Sequence, residues 1–125
     1  MVVGELCKIE IYITMIQDSE KGKKMQLVSS VDYSNGAIVS KTILKGDSGN
    51  LTLFSFDQGQ GLSEHSAPFD ASILILDGES EITIGGTPHL LKTGEFIIIP
   101  ANVPHAVKAL SPFKMLLIMI KNKPA

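Results

Sequence analysis

A single cysteine, Cys7, excludes an intrachain disulfide and fits a reducing compartment. No histidine or basic pair lies beside it to lower its pKa, so the thiol reads as inert. The longest apolar run, Met115 to Ile120, falls far short of the roughly 20 residues that a spanning helix needs. No basic stretch leads into an apolar core at the start of the chain, so no signal peptide is expected, and the expected location is cytoplasmic. Neither sign of charge is in real excess. Lys and Arg total 11 against 13 Asp and Glu, a net −2 that recommends neither nucleic acid nor a membrane as partner. No apolar helical period persists over about ten residues. Gln58-Gly59-Gln60-Gly61 has no helix after it, so it is no phosphate cradle. No Ser-His-Asp order and no paired carboxylates point to hydrolysis.

Short strands are what the chain does contain. Its 125 residues suffice for one domain with a real core. Lys8 to Met15 alternate strictly, with Ile9, Ile11, Ile13 and Met15 on one side, which is the period of a half-buried strand. The polar stretch Gln17 to Lys24 reads as a solvated linker. Residues 1–24 are therefore expected to form an N-terminal extension with an added strand over 9–15, ahead of a single domain over 25–121. A start at Met25 is the alternative. Two short strands are expected between Met25 and Asn50, divided by a hairpin turn at Asn35-Gly36. Leu51–Asp57, Ile73–Leu76, Glu81–Ile84, Pro88–Leu91, Phe96–Ile99 and Phe113–Ile120 follow, with turn signals between them. That spacing predicts an all-β sandwich or barrel.

Two blocks carry a histidine each. In the first, Gly59 precedes His65 and the block closes at Gly78. In the second, Gly94, Pro100 and His105 stand in order. These positions resemble the two motifs of the cupin superfamily, G-x5-H-x-H-x3-E-x6-G and G-x5-P-x-G-x2-H-x3-N. The second histidine of the pattern falls at Ala67, its glutamate at Ala71, its inner glycine at Asn102 and its final asparagine at Ala109. The resemblance spans roughly residues 35–120. It implies a double-stranded β-helix, the RmlC-like jelly-roll barrel of cupins.

Strand parity puts His65, Ala67, Ala71, Ile73 and Ile75 on one face, which the resemblance makes the barrel lumen. His105 should point into the same space, with Pro100 and Asn102 completing the pocket. By the same parity the nearest carboxylates, Glu64 and Asp70, point away. Two imidazoles can hold a divalent ion such as Zn, Ni, Fe or Mn. With no carboxylate to neutralise it, such an ion should be held weakly. His89 reads as a surface residue of a hairpin, and Met115 and Met119 as core or interface filling rather than a soft metal site.

Two functions stay open. One is a metal-dependent enzyme with oxygenase, isomerase or lyase chemistry on a small molecule. The other is a non-catalytic metabolite-binding or sensor module without metal. Mean hydropathy is +0.23, and Ile73–Leu76, Phe96–Ile99 and Met115–Ile120 are apolar on both faces. Something must cover the outer face, and a homodimer, or the strand over 9–15 laid across it, is the expected cover.

Overall fold

The computed structural model describes residues 11–16 and 21–121. Within them, ten strands form two sheets. They run β1 Ile11–Ile16, β2 Ala37–Gly46, β3 Gly49–Phe56, β4 Gly61–His65, β5 Asp70–Asp77, β6 Glu79–Ile84, β7 Thr87–Lys92, β8 Phe96–Ile99, β9 His105–Ala109 and β10 Phe113–Ile120. The larger sheet is ordered β1-β2-β3-β10-β5-β8 and the smaller β4-β9-β6-β7. Every pairing is antiparallel except that of β1 with β2. This is the expected all-β jelly-roll barrel.

The core fills the space between the sheets. From β10 come Phe113 and Met115, from β5 Ile73 and Ile75, and from the facing sheet Ile82 and Val107. Phe56 and Phe113 stack with centroids 4.5 Å apart, an offset-stacked spacing that adds to their burial. Strand β10 lies between β3 and β5, so its alternate residues Leu116 and Ile118 face outward against Val31, Val39 and Leu53. That is why its eight residues do not alternate in polarity.

The outer face is covered partly by residues 25–36, where the sequence pattern suggested a strand. A 3₁₀ turn forms at Leu27–Ser29 instead, and the hydroxyls of Ser29 and Ser30 donate to the Gln26 carbonyl. Such local side-chain bonds compete with a strand ladder. Distant partners fix the rest of the segment. Ser55 Oγ donates to Asp32 O at 2.7 Å, and the buried Lys114 ammonium donates to Val28 O at 2.6 Å. The same ammonium lies 4.8 Å from the Tyr33 ring, whose hydroxyl donates to Asp77. Burial and that carboxylate raise the Tyr33 phenol above its ordinary range.

Two further expectations change. Asn35-Gly36 leads the chain into β2 rather than joining two strands, with Ala37 N donating to Ser34 O. The hairpin in this region lies between Gly46 and Gly49. Strand β1 extends the sheet edge in parallel with β2, from the Ile11–Ala37 pair onward, instead of lying over the outer face. The parts of that expectation at residues 9 and 10, and the inert Cys7, lie outside the described residues.

Gly78 turns β5 into β6 with φ +79°, where a β-carbon would land on the Pro112 carbonyl and 2.8 Å from Phe113 Cβ. Gly94 has φ +89° but open space around it. Gly94→Ala should thus cost only the left-handed strain, about 1–2 kcal/mol, and Gly78→Ala on the order of 3 kcal/mol or more by urea unfolding. Equal losses would contradict the packing account.

Candidate functional site

His65 ends β4 and His105 begins β9, and the two are directly paired across these strands. From Leu62 to His65 is three steps, while β9 takes two between Val107 and His105, so β4 carries one extra residue. Without that bulge Leu62 and His65 would face opposite sides; with it, both face the interior. The imidazole centroids stand 4.4 Å apart with the rings tilted by 58°.

Each ring is oriented in the same way. His65 Nδ1 lies 2.8 Å from Ser63 O, and His105 Nδ1 lies 3.0 Å from Val103 O. A carbonyl only accepts, so each Nδ1 carries a proton, and in the neutral ring the lone pair is on Nε2. Burial pushes the His105 pKa below the ordinary imidazole value; the neighbouring His65 adds to this and the Val103 carbonyl opposes it.

The loop after His65 and the loop before His105 are tied together. Asn102, where the cupin pattern has glycine, sits at φ +67°, a left-handed conformation that asparagine tolerates better than most residues. Its backbone N–H donates to Ala67 O at 2.7 Å, and Ala101 N–H donates to Asp70 Oδ1 at 2.9 Å. Asp70 is thereby engaged on the loop, and Glu64 is exposed.

A cavity of about 350 Å³ opens beside His65, lined by Phe54, Leu62, Ser66, Ala67, Phe69, Leu117 and Met119. Of the residues expected around it, Ala67 is on its wall. Ala71, Ile73 and Ile75 are packed in the barrel core, because side chains from both sheets close the lumen at their level. Pro100 and Asn102 are exposed on the loop before β9 and do not line it. His105 is not on this wall either; it is buried and meets the cavity through His65. The wall residues that sequence reading missed come mostly from β3, β10 and the loop before β5. Met119, read as filling, is one of them, on the inward face that it shares with Leu117. A larger hollow of about 420 Å³ sits at the turn between β2 and β3, near Leu44 and Ile120. It contains no histidine, and Met119 stands between it and the cavity beside His65 as a wall residue of both.

The donor set can be set against the metal that the cupin pattern implies. Two imidazoles offer free nitrogens, but the other two ligand positions are Ala67 and Ala71, and no cluster of three or more metal-ligating side chains occurs among the described residues. Catalytic zinc takes three protein ligands. The residues present do not fit a firmly resident ion.

The cupin-domain family Cupin_2 matches residues 52–120. A conserved protein of unknown function from Streptococcus pyogenes is 34% identical with a TM-score of 0.81, covering 91% of this chain and 97% of that one. A cupin 2 conserved barrel domain protein from Leptotrichia buccalis is 42% identical with a TM-score of 0.75, over 78% of this chain and 47% of that one. Quercetin 2,3-dioxygenase of Bacillus subtilis is 34% identical over 64 residues, 50% of this chain. The match spans only 19% of that relative's length.

Because native His105 resists protonation while the unfolded chain accepts the proton at about pH 6.5, its contribution to stability is complete above that pH and declines as pH falls below it. In metal-free protein the His105 ring should titrate below the ordinary imidazole value by NMR. A midpoint at or above it would contradict the burial argument.

Proposed function

The chain belongs to the cupin family, and on that premise we propose that its barrel binds a small molecule in the cavity beside His65, with His65 on the wall and His105 packed behind it. The observation that carries this reading is the cavity itself. Its 350 Å³ fall within the range of small-molecule pockets, and its wall is apolar except at His65 and Ser66. Ala67, where the family pattern has a second histidine, keeps that volume open. A cytoplasmic location belongs to the same reading, supported by the lone cysteine. Naphthalene, an apolar probe that such a volume admits, should bind the full chain, and Ala67→Phe should abolish binding with the far-UV spectrum unchanged. Undiminished binding in the variant would move the ligand elsewhere.

A second reading has its own support. Imidazoles whose Nδ1 is tied to a carbonyl are oriented as metal-ligating histidines are. On this reading the pair takes up a divalent ion (Zn, Ni, Fe or Mn) weakly, and oxygenase, isomerase or lyase chemistry becomes available. Elemental analysis should then find substoichiometric metal in the wild type and none in His65→Ala or His105→Ala, with less retained below about pH 6. Equal content in all three proteins would defeat this reading.

We propose a second copy of the chain as the macromolecular partner. Phe96, Ile98 and Ile120 on the outer face of the larger sheet are 52%, 59% and 56% exposed, beyond the reach of the covering segment. Self-association of a sheet face gives an isologous dimer. Light scattering at ~100 μM, above the dissociation constants of most such interfaces, should give about twice the 13.4 kDa chain mass. Ile98→Lys should return it towards the monomer. A monomeric wild type at that concentration would refute the dimer.

A further inference from the structure

The cavity wall has a definite hydrogen-bonding polarity. Ser63 O accepts from His65 Nδ1, so the proton of the neutral ring is committed to the protein's own backbone. What the ring can offer a ligand is the Nε2 lone pair, an acceptor. That nitrogen is not sealed off: Gln60 Oε1 is the only solvent-inaccessible side-chain N or O without a partner among the described residues. His105 packs against the ring at 4.4 Å and spends its own Nδ1 proton on Val103 O, so it offers the ligand no spare proton either. Ser66 is the other polar group on the wall, and it is exposed at the mouth.

The cavity also lacks a cation. No lysine lines it, and the chain contains no arginine at all. A carboxylate or phosphate entering it would shed water without gaining a counter-charge or a cluster of donors, a loss of several kcal/mol in an apolar site. The rest of the wall suits a flat ring. Phe54 and Phe69 supply aromatic surface, and Met119 a thioether that contacts ring edges favourably.

We infer that the cavity selects neutral aromatic hydroxy compounds, phenols or ring enols, whose O–H donates to His65 Nε2, and that it discriminates against their carboxylate analogues. The inference rests on the reading of this cavity as the ligand site.

Three probes of matched shape separate the possibilities: 2-naphthol, 2-methoxynaphthalene and 2-naphthoate. They are titrated at pH 8 with EDTA against full-length protein. The naphthol should bind roughly tenfold or more tightly than the methyl ether, the equivalent of one well-made hydrogen bond, with the carboxylate weakest. His65→Leu keeps an apolar wall and removes the acceptor, so it should level the naphthol and the ether while both still bind. Ser66→Ala should leave the preference intact. In the wild type, naphthol should also move the 15N resonance of His65 Nε2, a readout independent of whether His65→Leu folds.

Equal binding of naphthol and ether, with both lost in Ala67→Phe, would overturn donor recognition and leave the pocket standing. Binding of no probe, or binding indifferent to Ala67→Phe, would remove pocket and inference together. A preference that survives in His65→Leu but vanishes in Ser66→Ala would assign the contact to Ser66 and refute the role of His65. Tightest binding of the naphthoate would mean that the site presents a positive charge, which also overturns the inference.

Discussion

Between Leu62 and His65 strand β4 takes three steps while β9 takes two from Val107 to His105, and this extra residue turns His65 into the barrel. Much of the site depends on it. Ser63, within the bulge, presents the carbonyl that orients the His65 ring. The loop beyond the strand then brings Ala67 O within 2.7 Å of Asn102 N, which ties it to the approach to β9. The ring pair at 4.4 Å is thus an outcome of backbone bonds, with no direct hydrogen bond between the imidazoles needed to hold them.

The strands were legible because their residues obey local rules. Phe113–Ile120 matches the observed β10 at both ends, and glycines of the expected turns, Gly78 and Gly85-Gly86, fall between strands. The covering segment over residues 25–36 was not legible. Its conformation depends on Ser55, Lys114 and Asp77, which lie 23, 86 and 44 residues from their partners Asp32, Val28 and Tyr33. Lys114 illustrates the difficulty. Within an apolar run a lysine reads as a break facing solvent, yet here a carbonyl and an aromatic face allow its ammonium to be buried. The both-sided apolar pattern rightly implied a cover, but pattern alone does not say which segment supplies it.

At the site, the motif spacing brought out both histidines, because ligand positions in a β-barrel are tied to strand register. The cavity wall was another matter. Parity carried the expected lining from His65 along β5 to Ile73 and Ile75, but those side chains are buried in the same core cluster as Ile82 and Phe113. The open volume lies towards β3 and β10, whose neighbourhood to β4 follows from how the sheets close and not from proximity in sequence. Phe54, Leu117 and Met119 announce themselves in the sequence only as core residues.

Replacing two metal-ligand positions with alanine changes more than a coordination number. A histidine at Ala67 would fill part of the cavity, and a glutamate at Ala71 would bring into the barrel a carboxylate that favours a cation nearby. The alanines lack that carboxylate and leave a space lined by apolar groups apart from His65 and Ser66. In this setting burial disfavours charge on His105, and a protonated His65 would disfavour it further. An ion in the same space would lack the neutralising partner that normally repays its lost hydration. The substitutions therefore act in one direction. They weaken the hold on a cation, and the ring nitrogens not bonded to Ser63 O and Val103 O remain as acceptors that a ligand can use.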